Sequence, residues 1–163
     1  MTLGVTGHRP EKLFPDQPYS DANRKKLVKF ATRVLKVLKP DKVITGMALG
    51  WDQAIAEACI DLSIPFVAAI PCHEYDKLWW PASQAHFRAL MIRASETVFV
   101  TKGPYTTSCL QARNLWIVEN SDQLLALFSG APGGTANCIN AWPKARDPVL
   151  NVWNSWLNFE MVN

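Results

Sequence analysis

The chain has 163 residues, of which 48% are hydrophobic and 19% charged, and its formal net charge is +3. This length and apolar content suit one folded domain with a buried core over residues 1–163, and they argue against intrinsic disorder. A charge of +3 is too small to indicate a nucleic-acid surface, so nucleic acid is a possible but disfavoured partner. Because no apolar run approaches a membrane span and no signal segment opens the chain, we expect a cytoplasmic protein without a membrane partner.

Strand and helix patterns alternate along the chain. In chain order, the predicted strands span residues 3–6, 43–45, 65–70, 96–100 and 124–128, with a further short strand at 149–152. The predicted helices span residues 22–38 (with Asp21 as N-cap), a segment ending at Leu62, then 82–94, 109–120 and 136–145, before a short Trp-rich tail. This alternation predicts a doubly wound α/β domain, with a mainly parallel sheet of five to six strands and helices on both faces.

The four cysteines give no sign of a metal or disulfide framework. Cys59, Cys72, Cys109 and Cys138 form no CxxC pair. Two of them lie in apolar helical patterns, which favours reduced thiols over disulfides or zinc ligands. We therefore expect no metal site.

Polar and glycine-rich residues follow the predicted strands. In doubly wound sheets, ligands bind outside the carboxyl ends of the strands, where the winding direction reverses. The segments at these ends are His8-Arg9, Gly46–Gly50, residues 71–74, residues 101–105 and residues 130–135. The sequence therefore predicts a ligand crevice at one edge of the sheet.

Two glycine-rich turns each open a predicted helix. The first contains Gly46 and Gly50, and the second contains Gly133, Gly134 and Thr135. Such turns can bring backbone N–H groups and a helix N-terminus onto a phosphate. Gly46 can take a positive φ and lets a ligand approach the backbone closely. Neither turn matches GxGxxG or a Walker A loop, so simple turn geometry is the alternative.

Arg113 and Asn114 lie on or beside the apolar face of their predicted helix. A buried guanidinium needs a partner, and no acidic residue lies one turn away on that helix. The partner of Arg113 is either a ligand anion or a distant carboxylate, Glu57 or Glu74. The residues alone leave this choice open.

Other candidate ligand contacts come from the loops. His8 and Arg9 could face an anion, and Asp52 could accept from ribose hydroxyls or simply favour the positive end of its helix. Trp79 and Trp80 could stack on a base or ribose, although packing or a dimer contact explains them equally well.

A family resemblance rests on several of these segments together. They are residues 6–10 (TGHRP, including Gly7), residues 46–52 (GMALGWD), the Trp79/Trp80 loop, Tyr105, residues 111–114 (QARN), Ser121-Asp122 and residues 133–135 (GGT). They resemble YpsA-like proteins of the SLOG superfamily, which also includes the Lonely Guy phosphoribohydrolases and the DNA-processing protein DprA. The resemblance implies a Rossmann-like fold that binds nucleotide-derived ligands.

One departure from this pattern bears on catalysis. The Lonely Guy enzymes carry PGGxGTxxE, whose glutamate is catalytic, whereas Cys138 stands at that position here and one residue between the glycines is missing. A thiol cannot stabilise an oxocarbenium-like centre as a carboxylate does. If the chain is a nucleotide N-glycosidase, its candidate carboxylates are Glu74, Asp52 and Glu57.

Together, these observations predict a protein that binds a nucleotide or an ADP-ribose-like ligand and needs no other cofactor. The rival hypotheses are a nucleoside 5′-monophosphate N-glycoside hydrolase and a DprA-like single-stranded DNA binder. Seven tryptophans in a small chain, together with the resemblance, also predict a homodimer.

Overall fold

Six parallel strands form one sheet in the computed structural model, which describes residues 1–162. In chain order they are β1 (Thr2–Gly7), β2 (Lys42–Thr45), β3 (Phe66–Ile70), β4 (Glu96–Phe99), β5 (Gln123–Leu127) and β6 (Leu150–Asn151). Across the sheet the order is β4-β3-β2-β1-β5-β6. The predicted α/β fold is confirmed. The predicted domain also includes Asn163, which lies outside the described residues.

The helices connect these strands. Within residues 1–162 they are α1 (Pro10–Leu13), α2 (Asp21–Leu38), α3 (Trp51–Leu62), α4 (Pro81–Arg93), α5 (Thr107–Glu119), α6 (Gly134–Ala141) and α7 (Trp153–Val162). The N-cap of α2 is Ser20 and not Asp21, because the Ser20 side chain accepts a hydrogen bond from Asn23 N at 3.1 Å. Helix α6 stops at Ala141, short of the predicted residue 145, because Pro143 cannot continue it.

Two hydrophobic clusters cover the two faces of the sheet. Neighbouring strand residues divide between them, so Val43 packs in the cluster with α2, α3 and α7, whereas Ile44 packs in the cluster with α5 and α6. The Trp-rich tail, for which the sequence predicted no element, is α7. Its Trp156 is fully buried against Phe30, with ring centroids 5.3 Å apart. Burial of this indole explains why the tail folds back as a helix.

The strand order fixes where a ligand crevice can form. The chain builds β1 to β4 outward in one direction, and α5 then returns it to β5, on the other side of β1. The winding direction therefore reverses between β1 and β5. In open α/β sheets the crevice lies outside the carboxyl ends of the two strands at this point.

Candidate functional site

A cleft of about 830 Å³ lies at the carboxyl ends of β1 and its neighbours. Its walls come from the end of β1, helix α1, the inner face of α5, the first turn of α6 and the loop that follows β3. This volume falls within the range of small-molecule sites. The cleft is therefore at the place that the strand order predicts.

One end of the cleft is built from the second glycine turn. Gly133, with φ of 140°, is the N-cap of α6, and no side chain caps the helix there. A Cβ added to Gly134 would meet no neighbouring atom within 4 Å, so open space lies over this position. Thr135 lines the cleft beside it. The first turn of α6 thus presents unobstructed backbone at the positive end of its dipole.

Two cations from the segment after β1 line the cleft. Arg9 comes directly after β1, and Lys12 lies on α1, where its Nζ donates to Pro132 O at 2.9 Å. Asn114 is buried and its Nδ2 donates to Gly134 O at 3.3 Å, which ties α5 to the start of α6. The sequence analysis did not single out Lys12, because it predicted no helix before residue 22, whereas the four-residue helix α1 carries this side chain.

His8 holds the two central strands together at the cleft. Its Nε2 accepts from Ser129 N at 2.9 Å and lies 2.8 Å from Ser129 Oγ, just beyond β5. Burial lowers the pKa of His8, and nearby Lys12 lowers it further. We conclude that the ring is neutral and positions the loop after β5, so the cationic role considered for His8 belongs to Arg9 and Lys12.

Arg113 lies buried beneath the cleft, with its side chain reaching the first glycine turn. Its Nη1 donates to Gly46 O, its Cζ lies 5.9 Å from the Tyr75 ring centroid, and its Nε has no hydrogen-bond partner among the described residues. Burial alone would lower the pKa of the guanidinium, but Tyr75 and Asp52 together raise it above its ordinary value. The arginine therefore stays charged.

The considered ion pairs of Arg113 with Glu57 or Glu74 are wrong. Glu57 contacts Arg24 at 2.5 Å, while Glu74 lies 3.6 Å from Lys77 Nζ. The two carboxylates already have partners of their own. The groups that raise the pKa of Arg113 are instead Tyr75 and Asp52.

Asp52 lines the cleft as a nearly buried carboxyl group with 5% of its surface exposed. Its Oδ2 accepts from Ala48 N at 3.3 Å, whereas Oδ1 has no partner among the described residues. Burial raises the pKa of Asp52 to about 6, against the opposing effects of Arg113 and the Ala48 amide. Of the three candidate carboxylates, Asp52 alone is buried.

The first glycine turn packs against the protein itself. Gly46 does not use the positive φ open to glycine, and Met47 takes that conformation instead, with φ of 59°. A Cβ on Gly46 would lie 2.3 Å from Arg113 Nη1, and one on Gly50 (φ 95°) would lie 2.7 Å from His8 O. Neither glycine lines the cleft. Both are therefore explained by packing, and we leave them out of the proposed ligand contacts.

The predicted aromatic contacts divide between two cavities. Trp79 lines the cleft and packs edge-on against Tyr75 and Phe87, at 5.1 and 5.2 Å between ring centroids. Tyr105 lies at the rim and is 56% exposed. Trp80 is 73% exposed and lines a separate cavity. Of the two adjacent tryptophans, only Trp79 can reach a ligand in the cleft without a rearrangement.

Of the remaining predicted residues, some line the cleft and others lie away from it. Gly7 lines the cleft, and a Cβ there would lie 2.3 Å from Trp51. Glu74 lies at the rim with an exposed side chain, whereas Glu57 lines the separate cavity with Trp80. Cys138 is fully buried in the core, and burial raises the pKa of its thiol to about 11. This thiol is thus a protonated core group that does not line the cleft.

No group of three or more histidine, cysteine, aspartate or glutamate side chains within residues 1–162 is arranged to hold a metal ion. None of the helices in this part of the chain is long and apolar enough to cross a membrane.

Solved structures share the fold. The chain aligns with DNA processing protein A (DprA) of Streptococcus pneumoniae at 17% identity with a TM-score of 0.59, covering 90% of this chain but only 48% of that one. It aligns with DprA of Helicobacter pylori, described by its single-stranded DNA binding mode, at 13% identity with a TM-score of 0.59, covering 99% and 80%. It aligns with the protein TM1055 at 17% identity with a TM-score of 0.54, and the alignment covers 86% of this chain and 66% of TM1055. At these low identities, the structural alignments show a common fold.

Comparison of the sequence with known proteins identifies the family of this chain. The SPbeta prophage-derived protein YoqJ of Bacillus subtilis (strain 168), described as uncharacterized, is 28% identical over 116 residues, which cover 61% of this chain and 67% of YoqJ. The family model described as the YspA SLOG family matches residues 3–146. This match includes the end of β1, both glycine turns and the Arg113-Asn114 pair. The chain is therefore a member of the YspA SLOG family.

Proposed function

We propose that this protein binds a nucleotide-type phosphorylated ligand in the cleft, with a phosphate group at the first turn of α6. The observation that carries the proposal is the uncapped start of α6, which opens into the cleft beside Lys12, whose Nζ would lie 3.3 Å from a Cβ added to Gly133. Backbone N–H groups at a helix N-terminus bind anions, and the helix dipole adds to their attraction. Lys12, with Arg9 also lining the cleft, would balance the charge that a phosphate brings.

The rest of the cleft suits a ribose and a base. Asn114, Asp52 and Arg113 supply polar groups at its floor, while Trp79 and Tyr105 supply aromatic rings toward the other end. A ligand pocket with a few polar groups and several apolar ones is typical of sites for small molecules. Membership of the SLOG family agrees with a nucleotide-derived or ADP-ribose-like ligand.

Binding without turnover is supported by the position of Cys138. The thiol replaces the glutamate of the Lonely Guy signature, and it is buried away from the cleft and protonated. It can neither stabilise positive charge at a sugar carbon nor activate water. We therefore infer a sensor or regulatory protein in preference to a hydrolase.

Asp52 supports a second candidate function, hydrolysis of the N-glycosidic bond in a nucleoside monophosphate. It is a buried carboxyl group beside the cleft with one unpaired oxygen and a pKa raised to about 6. Perturbed carboxyl groups of this kind are candidates for acid–base chemistry. Glu74, at the rim and paired with Lys77, lacks such an environment.

Calorimetry with a panel of nucleotides and ADP-ribose tests the binding proposal, after mass spectrometry of any nucleotide that co-purifies. Gly134→Val should weaken binding at least tenfold, because the side chain would fill the space over the α6 turn. Gly103→Val is the matched control, since a Cβ there also meets no atom within 4 Å but Gly103 does not line the cleft. Equal binding by parent and Gly134→Val would contradict the proposed phosphate position.

Two further assays separate the alternatives. Chromatography of free base after incubation with nucleoside monophosphates should show no turnover. Turnover that Asp52→Asn abolishes would establish the hydrolase. Single-stranded oligonucleotides that bind while nucleotides and ADP-ribose do not would instead establish a DNA-binding role and overturn the small-ligand proposal.

A further inference from the structure

A second cavity, of about 610 Å³, lies apart from the proposed nucleotide site. It is formed between α2, the first turns of α3 and α4, and the loop that contains Pro18 and Tyr19. Its walls are largely apolar, with Phe14, Leu27 and Leu49 among them. At its edge lie Tyr19 and Trp80, which are 50% and 73% exposed. Large exposed rings beside a cavity of this size indicate a site for an aromatic ligand.

The charged side chains at this cavity form ion pairs with one another or with a neighbouring lysine. Arg24 lies between Glu57 at 2.5 Å and Asp21 at 3.0 Å, and Lys25 contacts the other oxygen of Asp21 at 3.0 Å. The second oxygen of Glu57 faces His86 Nε2 at 3.4 Å. A charged ligand would enter this apolar cavity without a free counter-charge, which costs free energy. The cavity therefore selects an uncharged ligand.

Hydrogen-bonding capacity remains on one wall of the cavity. Neither the Ser83 hydroxyl nor His86 Nδ1 takes part in a hydrogen bond within the described chain, and both residues line the cavity. They lie three residues apart on α4, the spacing at which two side chains are neighbours on one helix face. His86 Nε2 lies 3.4 Å from Glu57 Oε2, and neither atom has a hydrogen-bond partner among the described residues. A neutral imidazole with its proton on Nε2, toward this carboxylate, leaves Nδ1 to accept a hydrogen bond, and the Ser83 hydroxyl can donate one.

We propose that this cavity is a second binding site, for an uncharged planar N-heterocycle whose edge carries an N–H donor next to an acceptor. The N–H would donate to His86 Nδ1, and the adjacent carbonyl or ring nitrogen would accept from Ser83. The ring would lie against Tyr19 and Trp80. Free nucleobases and aromatic lactams present this edge. The proposal does not depend on ligand binding in the main cleft.

A matched pair of probes tests the site on the unmodified protein. 2-Quinolone is an uncharged aromatic lactam with the required edge, and N-methyl-2-quinolone keeps the ring and the carbonyl but lacks the N–H. Titrations followed by protein NMR should show saturable binding of 2-quinolone and at least tenfold weaker binding of the N-methyl compound. The perturbed signals should include those of Ser83 and His86.

Variants then assign the hydrogen bonds. His86→Phe and Ser83→Ala should each weaken 2-quinolone binding by about threefold to tenfold, as expected for the loss of one hydrogen bond. Ser155→Ala, on the exposed side of α7, is the control and should bind like the parent. Circular dichroism establishes that each variant is folded. If His86→Phe is unfolded, Ser83→Ala and the two probes still decide the matter.

Three results would overturn the proposal. They are the absence of 2-quinolone binding up to its solubility limit, equal affinity for the two probes, and full displacement of 2-quinolone by a ligand of the main cleft. Unchanged affinity in both folded variants would equally exclude the assigned contacts.

Discussion

Gly46→Ala is the substitution that the structure predicts most sharply. The added Cβ would lie 2.3 Å from Arg113 Nη1 and 2.7 Å from its Cζ, so the buried guanidinium must move. Moving it breaks the hydrogen bond to Gly46 O. Loss of a hydrogen bond to a charged group costs about 1.5–3 kcal/mol. Overpacking of a tight site adds about 1–3 kcal/mol. We therefore expect the free energy of unfolding to fall by about 2.5–6 kcal/mol.

Urea denaturation followed by tryptophan fluorescence measures this change, and thermal unfolding should show the midpoint lowered by about 10 °C for a chain of this size. Gly134→Ala is the control. It adds the same methyl group at the other glycine turn, where no atom lies within 4 Å, so its stability should stay within about 1 kcal/mol of the parent. A Gly46→Ala variant as stable as the parent would refute the idea that Gly46 exists to admit Arg113.

Three further predictions follow from the buried groups and from the composition. Because burial raises the pKa of Asp52 to about 6, the native state binds its proton more tightly than the unfolded chain does, so this group's contribution to stability falls as pH rises from about 4 to 6. In urea titrations from pH 4 to 6, the free energy of unfolding should therefore fall by about 2–3 kcal/mol less in Asp52→Asn than in the parent. An equal fall in both proteins would contradict the raised pKa of Asp52. Iodoacetamide should modify Cys138 only after unfolding, since its thiol is buried with a pKa of about 11; labelling of the native protein at pH 8, read by mass spectrometry, would contradict this. Light scattering should give about twice the chain mass of 18.2 kDa if the predicted homodimer forms, and a mass near 18.2 kDa would rule it out.

The central strands could be predicted because a buried strand produces a short run of apolar residues in the sequence. The run PFVAAI is apolar throughout because β3, which it contains, is covered on both faces of the sheet. All five residues of β3, Phe66–Ile70, are buried. The tail was not predictable in the same way. Its Trp156 and Phe159 pack on Phe30 of α2, a contact between residues more than 120 positions apart. Local periodicity carries no information about such a distant partner.

The two glycine turns show how one sequence signal can have two physical causes. Both follow a strand and open a helix, which is why the sequence predicts a phosphate cradle at each. In the structure, Gly46 leaves room for a protein side chain, whereas open space lies over Gly134. The difference depends on Arg113, which reaches Gly46 from α5, and the sequence does not show where that side chain points.

The order of the strands explains why the cleft depends on residues that the sequence keeps far apart. Because β5 lies beside β1, His8 meets Ser129, 121 positions later, and Lys12 meets Pro132. Each of these contacts ties the end of β1 or helix α1 to the segment between β5 and α6. Strand β2 lies on the other side of β1, so its glycine turn is displaced from the start of α6 and packs on Arg113 instead. The proposed anion position is therefore a consequence of the crossover at α5. The crossover brings the second glycine turn, and not the first, next to Lys12 of α1.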